Sequence, residues 1–541
     1  MRVGVISVFT DYHRRGRHHR GALQPQIGRL IAALLPDHIE VDVVNDTWTD
    51  PDWNRDYDLL FLSCLHSDFD RARQISHYWR RRGAKTVLGG NFASMYANLC
   101  RPYFDAVAIG DAESLVPRIY DDFCRGELEP VYRADDFSAA RLPPMRLDVA
   151  SEQQVLPLAI EATRGCPFTC EFCALTGLGT RYKTRPVESA VRDIVEGRRM
   201  LQGRAAAWQH HVAIFHDNNF GGHPSHMRRL CEAFAPLGIR WGACVTFNVV
   251  CDPENLRALA KGGCRAVFVG LESFNAAAIS EMGKFQNVLA KTRRAVDMCR
   301  DHGILMMAGL MLSPVADNVD YIDSIPQRLR ESGLHVPTYI CFETPFPGTP
   351  HFKRLAASGD RAFMPNALLR DFTGYTLVTR PLHAAPEDFV EAYRRCHLAV
   401  YSRRARLAKL LDDFPRLARG GWLVPIAFDL YELMSEEPEP VPGRTFIAGT
   451  DIAPPETQCV PFSDADFAGE EERDQILLPW AVADRDGRAL PHWLVSHQLY
   501  QPRGRIASRL VADDGAQRDN LPDSAPLPHE TSQIVIAGQN A

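Results

Sequence analysis

The chain has 541 residues, too many for one hydrophobic core, so two or three domains are expected. Its net charge of -6 leaves no nucleic-acid footprint, and its 45% hydrophobic content is ordinary for a globular protein. No apolar run reaches the roughly 18 residues of a membrane span, and no signal-peptide pattern opens the chain, so a cytoplasmic protein is expected. Three of the 14 cysteines cluster and the rest scatter, which points to buried free thiols and not to a disulfide framework.

Residues 3–8 form a short apolar run of strand character. Residues 25–35 place Ile27, Leu30, Ile31 and Leu34 on one helical face. Strand-like runs recur at 41–44, 59–62, 86–88 and 106–109. Helices are expected over 69–82, stopped by Gly83, and over 114–126, with Ser114 as N-cap. Five strands alternating with helices predict an open parallel α/β sheet that binds ligands at its carboxyl edge. A linker without strong periodicity follows over 132–151 and puts a domain boundary near residue 150.

An apolar strand-like run over 155–162 delivers Arg164-Gly165-Cys166-Pro167-Phe168-Thr169-Cys170-Glu171-Phe172-Cys173. Thiolate-rich sites favour iron–sulfur clusters or zinc. A closed zinc site wants four ligands, usually as two cysteine pairs, and the chain has no second pair. Three thiolates on one loop suit three irons of a four-iron cluster, with the fourth iron left open. The loop resembles the signature of the radical S-adenosylmethionine (radical SAM) enzymes, including the aromatic Phe172 before the last cysteine.

Further β/α units follow. Helices are expected after Pro186, around 227–234, from Asp252-Pro253 to Gly262, over 289–302 and over 321–329. Strands are expected at 212–215, 241–245, 266–269, 304–312 and 338–342. With the strand before the cysteines this makes six units, and the resemblance implies an open (β/α)₆ partial barrel of the TIM type. Functional residues then belong at the carboxyl ends of the strands.

The resemblance extends to those ends. His216-Asp217-Asn218-Asn219-Phe220 takes the position of the family's binder of the methionine amino group. Gly270-Leu271-Glu272-Ser273 matches a G-L-E-S stretch whose polar side chains face ribose and carboxylate. Gly309 sits where a small residue admits adenine, although Ser313-Pro314 departs from the usual Gly-x-Pro. Thr344-Pro345-Phe346-Pro347-Gly348-Thr349-Pro350 matches a T-P-x-P-G-T-P stretch.

The first segment resembles the cobalamin-binding, Rossmann-like domain that precedes many radical SAM domains. Asp11-Tyr12-His13-Arg14-Arg15-Gly16 fits D-x-H-x-x-G, Ser63-Cys64-Leu65 fits S-x-L, and Gly89-Gly90 follows the fourth strand. The stretch from Asp105 to Glu113 fits D-A-V-V-x-G-E-x-E, with Asp111 where Glu is usual. The resemblance implies that Asp11, His13, Ser63, Leu65, Gly89 and Gly90 surround cobalamin, with His13 as a candidate cobalt ligand. The same His13 loop also reads as a plain basic loop, crowded with Arg14, Arg15, Arg17 and Arg20.

The expected domains are 1–150, 151–355, a helical region at 356–440 and an irregular tail at 441–541, disordered over its last 25 residues or so. Residues 386–411 read as helical. Arg403, Arg404, Arg406, Leu407, Leu410 and Leu411 suggest either a solvated helix or a basic amphipathic face. Residues 422–434 are apolar enough to cover the barrel mouth, and 477–480 and 493–499 are expected to pack locally.

The chemistry the resemblance implies starts from a [4Fe-4S] cluster held by Cys166, Cys170 and Cys173. S-adenosylmethionine, positioned by Phe172, Asp217, Asn218, Glu272, Ser273 and Gly309, chelates the open iron and is cleaved to a 5′-deoxyadenosyl radical. With cobalamin above, the expected reaction is methylation of an unactivated carbon in a small or lipid-like molecule. The alternatives are a radical rearrangement, cyclisation or oxidation, or a non-catalytic protein with a sensory cluster. An external one-electron reductant of flavodoxin or ferredoxin type is expected as partner.

Overall fold

The computed structural model describes residues 1–9, 26–46, 49–134, 143–149, 156–358, 362–364, 367, 371–419 and 446–448. Asp11, His13, the expected boundary at 150, and the segments 422–434, 477–480 and 493–499 lie outside the described residues.

The first part of the chain runs β1 (Arg2–Ser7), α1 (Ile27–Leu34), β2 (Glu40–Asn45), β3 (Leu59–Ser63), α2 (Phe69–Arg81), β4 (Lys85–Gly89), α3 (Asn91–Met95), α4 (Ala97–Cys100), β5 (Ala106–Ile109), α5 (Ala112–Arg125) and β6 (Val131–Arg133). The six strands pair in parallel in the order β2-β1-β3-β4-β5-β6. Leu59 to Leu62 are all buried, as parallel strands covered on both faces require. One face packs Val3, Val5 and Phe61 on Ile31, Leu115 and Ile119. The other packs Leu60, Leu62 and Leu88 against Phe69, Trp79 and Phe92.

Two expectations are corrected here. A sixth strand, β6, stands where the linker was expected to begin. At three residues it is too short to show a period. Helix α5 starts at Ala112, so Ser114 lies inside it and Asp111 holds the N-cap position without a side-chain capping bond. The Asp111 carboxylate is drawn instead to Arg164 (3.0 Å) and Lys183 (3.5 Å).

The chain continues through β7 (Leu158–Ile160), the two-residue strand β8 (Thr163–Arg164), α6 (Ala174–Leu178) and β9 (Lys183–Thr184), which pairs antiparallel with β8. Then follow α7 (Val187–Leu201), β10 (Val212–Phe215), α8 (Pro224–Phe234), β11 (Arg240–Val245), α9 (Phe247–Val250), α10 (Pro253–Lys261), β12 (Cys264–Glu272), α11 (Ala276–Glu281), α12 (Thr292–Asp301), β13 (Leu305–Leu312), α13 (Val319–Ser332) and β14 (Tyr339–Phe342). The second sheet is also wholly parallel, ordered β14-β13-β12-β11-β10-β7. Helix α10 starts as its sequence predicts: Asp252 accepts from the Glu254 N–H at 2.8 Å, and Pro253 needs no partner at the first helical position.

The last described elements are α14 (Pro350–Ala357), β15 (Thr376–Leu377), α15 (Pro386–Val400), α16 (Arg403–Arg419) and β16 (Phe446–Ile447). Phe352, Phe363, Phe372 and Val378 join the core under α2 and α3, so this region packs onto the first sheet. The basic face expected on α16 is divided. Arg406 and Lys409 are buried, and Asp413 pairs with Arg300 of α12, while Leu407, Leu411 and Phe414 are exposed beside Arg403 and Arg404. Among the described residues no helix is long and apolar enough to cross a membrane.

Candidate functional site

Cys166, Cys170 and Cys173 lie on one loop after β8. Gly165, at φ +79°, begins that loop against Arg181, whose carbonyl oxygen would lie 2.5 Å from any Cβ, so glycine is required there. Each sulfur meets nitrogen donors. Asn219 Nδ2 stands 3.5 Å from Cys166 Sγ and Gln286 Nε2 stands 3.6 Å from Cys170 Sγ, while the Leu175 and Thr176 N–H groups serve Cys173. Such donors stabilise charge on thiolate sulfur. Among the described residues no three His, Cys, Asp or Glu side chains converge as a single-ion site needs.

Asp217 is 2% exposed, and both its oxygens are engaged. Oδ1 accepts from the Ala162 N–H and Oδ2 from the Thr163 hydroxyl, each at 2.8 Å. Burial pushes its carboxyl up to about 7. Asp217 thus ties the end of β10 to the turn between β7 and β8. Asn218 Oδ1 accepts from the Gly165 N–H at 3.0 Å, on the turn into the first cysteine.

Glu272 ends β12 at φ +67°, where pairing with β13 slips register. The bulge re-aims its carboxylate, which pairs with Lys284. Lys284 also lies 5.6 Å above the Phe172 ring, which links this strand end to the cysteine loop. Ser273 shares a hydrogen bond with the Tyr321 hydroxyl at 2.8 Å and accepts from the Asn275 N–H at 3.0 Å, so it fastens α13. A Cβ at Gly309 would stand 2.4 Å from the Tyr339 ring, so its smallness has a cause within the protein. Glu343, after β14, is buried beside the Ser313 hydroxyl and 3.2 Å from His351 Nδ1. Burial pushes its carboxyl up to about 8.

A cavity of about 600 Å³ opens between the carboxyl edges of the two sheets. Ser63, Gly89, Gly90 and Gly110 line it from the first sheet, and Glu161, Arg164, His216 and Asn218 from the second. Gly90, at φ +92°, leaves room that a Cβ would close, 2.8 Å from Ser63 Oγ. An apolar arm runs on past Leu30, Phe61, Val87, Leu115 and Ile119. Leu65, expected beside Ser63, is 59% exposed and outside this wall. His216 Nε2 is buried without a protein partner, and burial pushes its imidazole down to about 4, so the ring is neutral.

The loop from Thr344 to Pro350 meets the first sheet. Phe346 lies against the His66 ring at 5.6 Å, and His66 hydrogen-bonds the Pro347 carbonyl. A Cβ on Gly348, at φ +93°, would stand 3.0 Å from both Met95 and Tyr96. The proline-glycine loop therefore acts as a joint between the two halves.

The family model described as "Radical SAM superfamily" matches residues 160–324, from the end of β7 into α13. The chain carries a radical SAM domain over those residues. This radical SAM enzyme is 24% identical over 341 residues to bacteriochlorophyllide d C-8(2)-methyltransferase of Chlorobaculum tepidum, covering 61% of this chain and 75% of that one. It is 25% identical over 358 residues to the hopanoid C-2 methylase of Rhodopseudomonas palustris, covering 62% of this chain and 65% of that one. Among solved structures it shares its fold with the radical S-adenosylmethionine methyltransferase TsrM of Kitasatospora setae, with cobalamin and a [4Fe-4S] cluster bound. That likeness has a TM-score of 0.51 and 19% identity, over 72% of this chain and 84% of the other.

The strand ends of the radical SAM enzyme leave polar atoms unmet. Asn219 Oδ1, Thr246 Oγ1 and Asn287 Oδ1 are buried without a protein partner. Buried polar groups normally find one, and a polar ligand at this edge would supply it. With three donor-served cysteines beside them, these residues fit a cluster and S-adenosylmethionine. Lys284 and Gln286 escaped the sequence reading. Gln286 lies 116 residues beyond Cys170, and no local pattern marks it as a sulfur donor.

Proposed function

We propose that this radical SAM enzyme holds cobalamin in the cavity between its sheets and methylates an unactivated carbon of a small or lipid-like molecule. The observation that carries the reading is the cavity. One continuous space touches the glycine pair and Ser63 at the first sheet, Arg164 beside the cysteines, and His216 and Asn218 at the second. Methyl transfer to carbon needs its reacting groups in one enclosed space. Supporting it, both relatives above are named for methylation at carbon.

In this reading the first sheet is a Rossmann-like cobalamin domain over 1–150, and the second an open (β/α)₆ partial barrel over 151–355. A helical region at 356–440 and a tail at 441–541 complete the chain. Cys166, Cys170 and Cys173 hold the cluster. The apolar arm takes the nucleotide tail of cobalamin, and Gly90 with Ser63 forms the narrow pass into it. Bound together, cluster, S-adenosylmethionine and cobalamin supply a carbon radical and a transferable methyl group.

The protein's own residues set the geometry. Asp217 fixes the turn that presents the cysteines. Lys284 neutralises Glu272 and steadies Phe172. Asn218 and Glu272 face the S-adenosylmethionine side, and Ser273 and Gly309 shape it through Tyr321 and Tyr339. The two sheets close the space and exclude water.

The test is anaerobic reconstitution with cluster and cobalamin, followed by assay of products from S-adenosylmethionine. Both S-adenosylhomocysteine and 5′-deoxyadenosine are expected. Deoxyadenosine alone would replace methylation by rearrangement, cyclisation or oxidation.

A further inference from the structure

Helix α16 packs with its faces reversed. Arg406, Lys409 and Asp413, spaced i, i+3 and i+7, are buried on one side, where Asp413 pairs with Arg300 of α12. Leu407, Leu411 and Phe414, spaced i, i+4 and i+7, take the opposite side and are 46%, 64% and 50% exposed. A helix that only faced solvent would turn its charges outward and its leucines inward. Three large apolar side chains in one outward row mark a surface that meets something apolar.

The charge around this row tells what that is. Arg403 precedes Leu407 by four residues and Arg404 precedes Leu411 by seven, so the two arginines flank the row on either side. Both are exposed, and among the described residues neither has an ion-pair partner. The two acids of the helix are engaged elsewhere. Asp412 meets Arg300 and His335 at 3.1 Å each, and Asp413 meets Arg300. Over its whole length α16 carries six basic residues against these two acids. A second copy of the chain would bring the same arginines onto the same face, with no acid there to receive them. An anionic bilayer matches both features. Its hydrocarbon receives the apolar row, and its headgroups receive the arginines, whose long stems let the guanidinium groups reach them.

We propose that the outward face of α16, with Leu407, Leu411 and Phe414 between Arg403 and Arg404, docks this protein on an anionic lipid bilayer. The helix lies in the plane of the interface and does not cross it, in keeping with its charge. The docking goes beyond the methylation reading and does not depend on it.

The test is co-sedimentation of the full-length protein with vesicles, at low and high salt. One set is phosphatidylcholine alone and the other is phosphatidylcholine mixed with phosphatidylglycerol. Binding is expected to the mixed vesicles, weakened by salt, with little to phosphatidylcholine. Leu411→Ser with Phe414→Ser is expected to weaken it about tenfold or more. Arg403→Glu with Arg404→Glu is expected to do the same and to flatten the salt dependence. A wild type that leaves both vesicle types unbound overturns the proposal, and so do variants that bind as the wild type does. Two other occupants of the face have their own signatures. The urea midpoint of Leu411→Ser with Phe414→Ser is expected to match that of the wild type, because both side chains face solvent. A clear fall would mean that the chain's own residues cover the row, and the bilayer proposal would fail. Gel filtration is expected to give one elution volume for both proteins. A wild-type oligomer that this variant splits would assign the face to a second copy and would overturn the proposal as well.

Discussion

Arg164, two residues ahead of the first cysteine, closes a forked ion pair on Glu113 in the first turn of α5, with Nη2 at 2.7 Å and Nη1 at 3.1 Å. The same guanidinium also reaches Asp111 and Glu161. Arg164 therefore fixes the cysteine loop to the first sheet, and the acidic Asp111-Ala112-Glu113 stretch has a physical partner. Arg164→Lys keeps the charge and loses the fork. The expected result is lower cluster iron after reconstitution and a loss of about 1–3 kcal/mol on urea unfolding. Wild-type iron content in that variant would mean the pair only decorates the interface.

Replacing Cys166, Cys170 and Cys173 together by Ala is expected to remove essentially all cluster iron, because the other cysteines are scattered. Iron analysis and visible absorption read this directly. Four irons per chain in the triple variant would sink the assignment.

Asp217 was expected to bind S-adenosylmethionine while leaving the cluster alone. Each of its oxygens already accepts one hydrogen bond, from Ala162 and from Thr163, so its loss is expected to disturb the cysteine turn as well. Asp217→Ala strands a buried N–H, at about 1–3 kcal/mol, and loosens the turn before the cysteines. Cluster iron and cofactor affinity should fall together in equilibrium binding and iron assays. Asp217→Asn should be milder, since burial already favours the neutral acid. Lost affinity with full iron would restore the first expectation.

The second sheet was legible because its strands are short apolar runs and its helices carry their own start and stop signals, such as Asp252-Pro253 and Gly303. The cysteine loop was legible because thiol spacing is local. The long-range contacts around the cysteines were not. Lys284 reaches Glu272 across 12 residues, and Gln286 reaches Cys170 across 116. Ser273 and Gly309 showed a motif but hid their neighbours, Tyr321 and Tyr339. Strand β6 was lost because three residues on a sheet edge carry no period.

Glu343 makes stability depend on pH. Its carboxyl moves from 4.5 up to about 8 through burial. Its folded form thus holds a proton that the unfolded chain has lost between those values. The stability this gives is complete below pH 4.5 and is lost as pH rises toward 8, at about 1.4 kcal/mol per unit for one full proton. His351, pushed down to about 4, stays neutral across this window. Glu343→Gln removes the titration. Its unfolding midpoint should overtake that of the wild type as pH rises from 6 to 8, and parallel curves would rule the assignment out.

The cobalamin reading has its sharpest test at Gly90. The residue sits at φ +92° in the cavity wall, and a Cβ there would press on Ser63 Oγ at 2.8 Å. Valine adds two methyl groups to a position that already strains any side chain. Gly89 is a weaker site, since its Cβ would meet only Ala108 at an ordinary 3.7 Å. Gly90→Val should therefore abolish cobalamin retention after reconstitution, and Gly89→Ala should largely keep it. Cluster iron should be unchanged in both, because neither glycine touches the cysteine loop. His13→Ala is expected to be mild, because its motif also reads as a plain basic loop. The measurement is the corrin absorption carried through gel filtration, set against iron per chain. Corrin bound at wild-type level by Gly90→Val would move cobalamin out of this cavity and leave the cysteine chemistry standing.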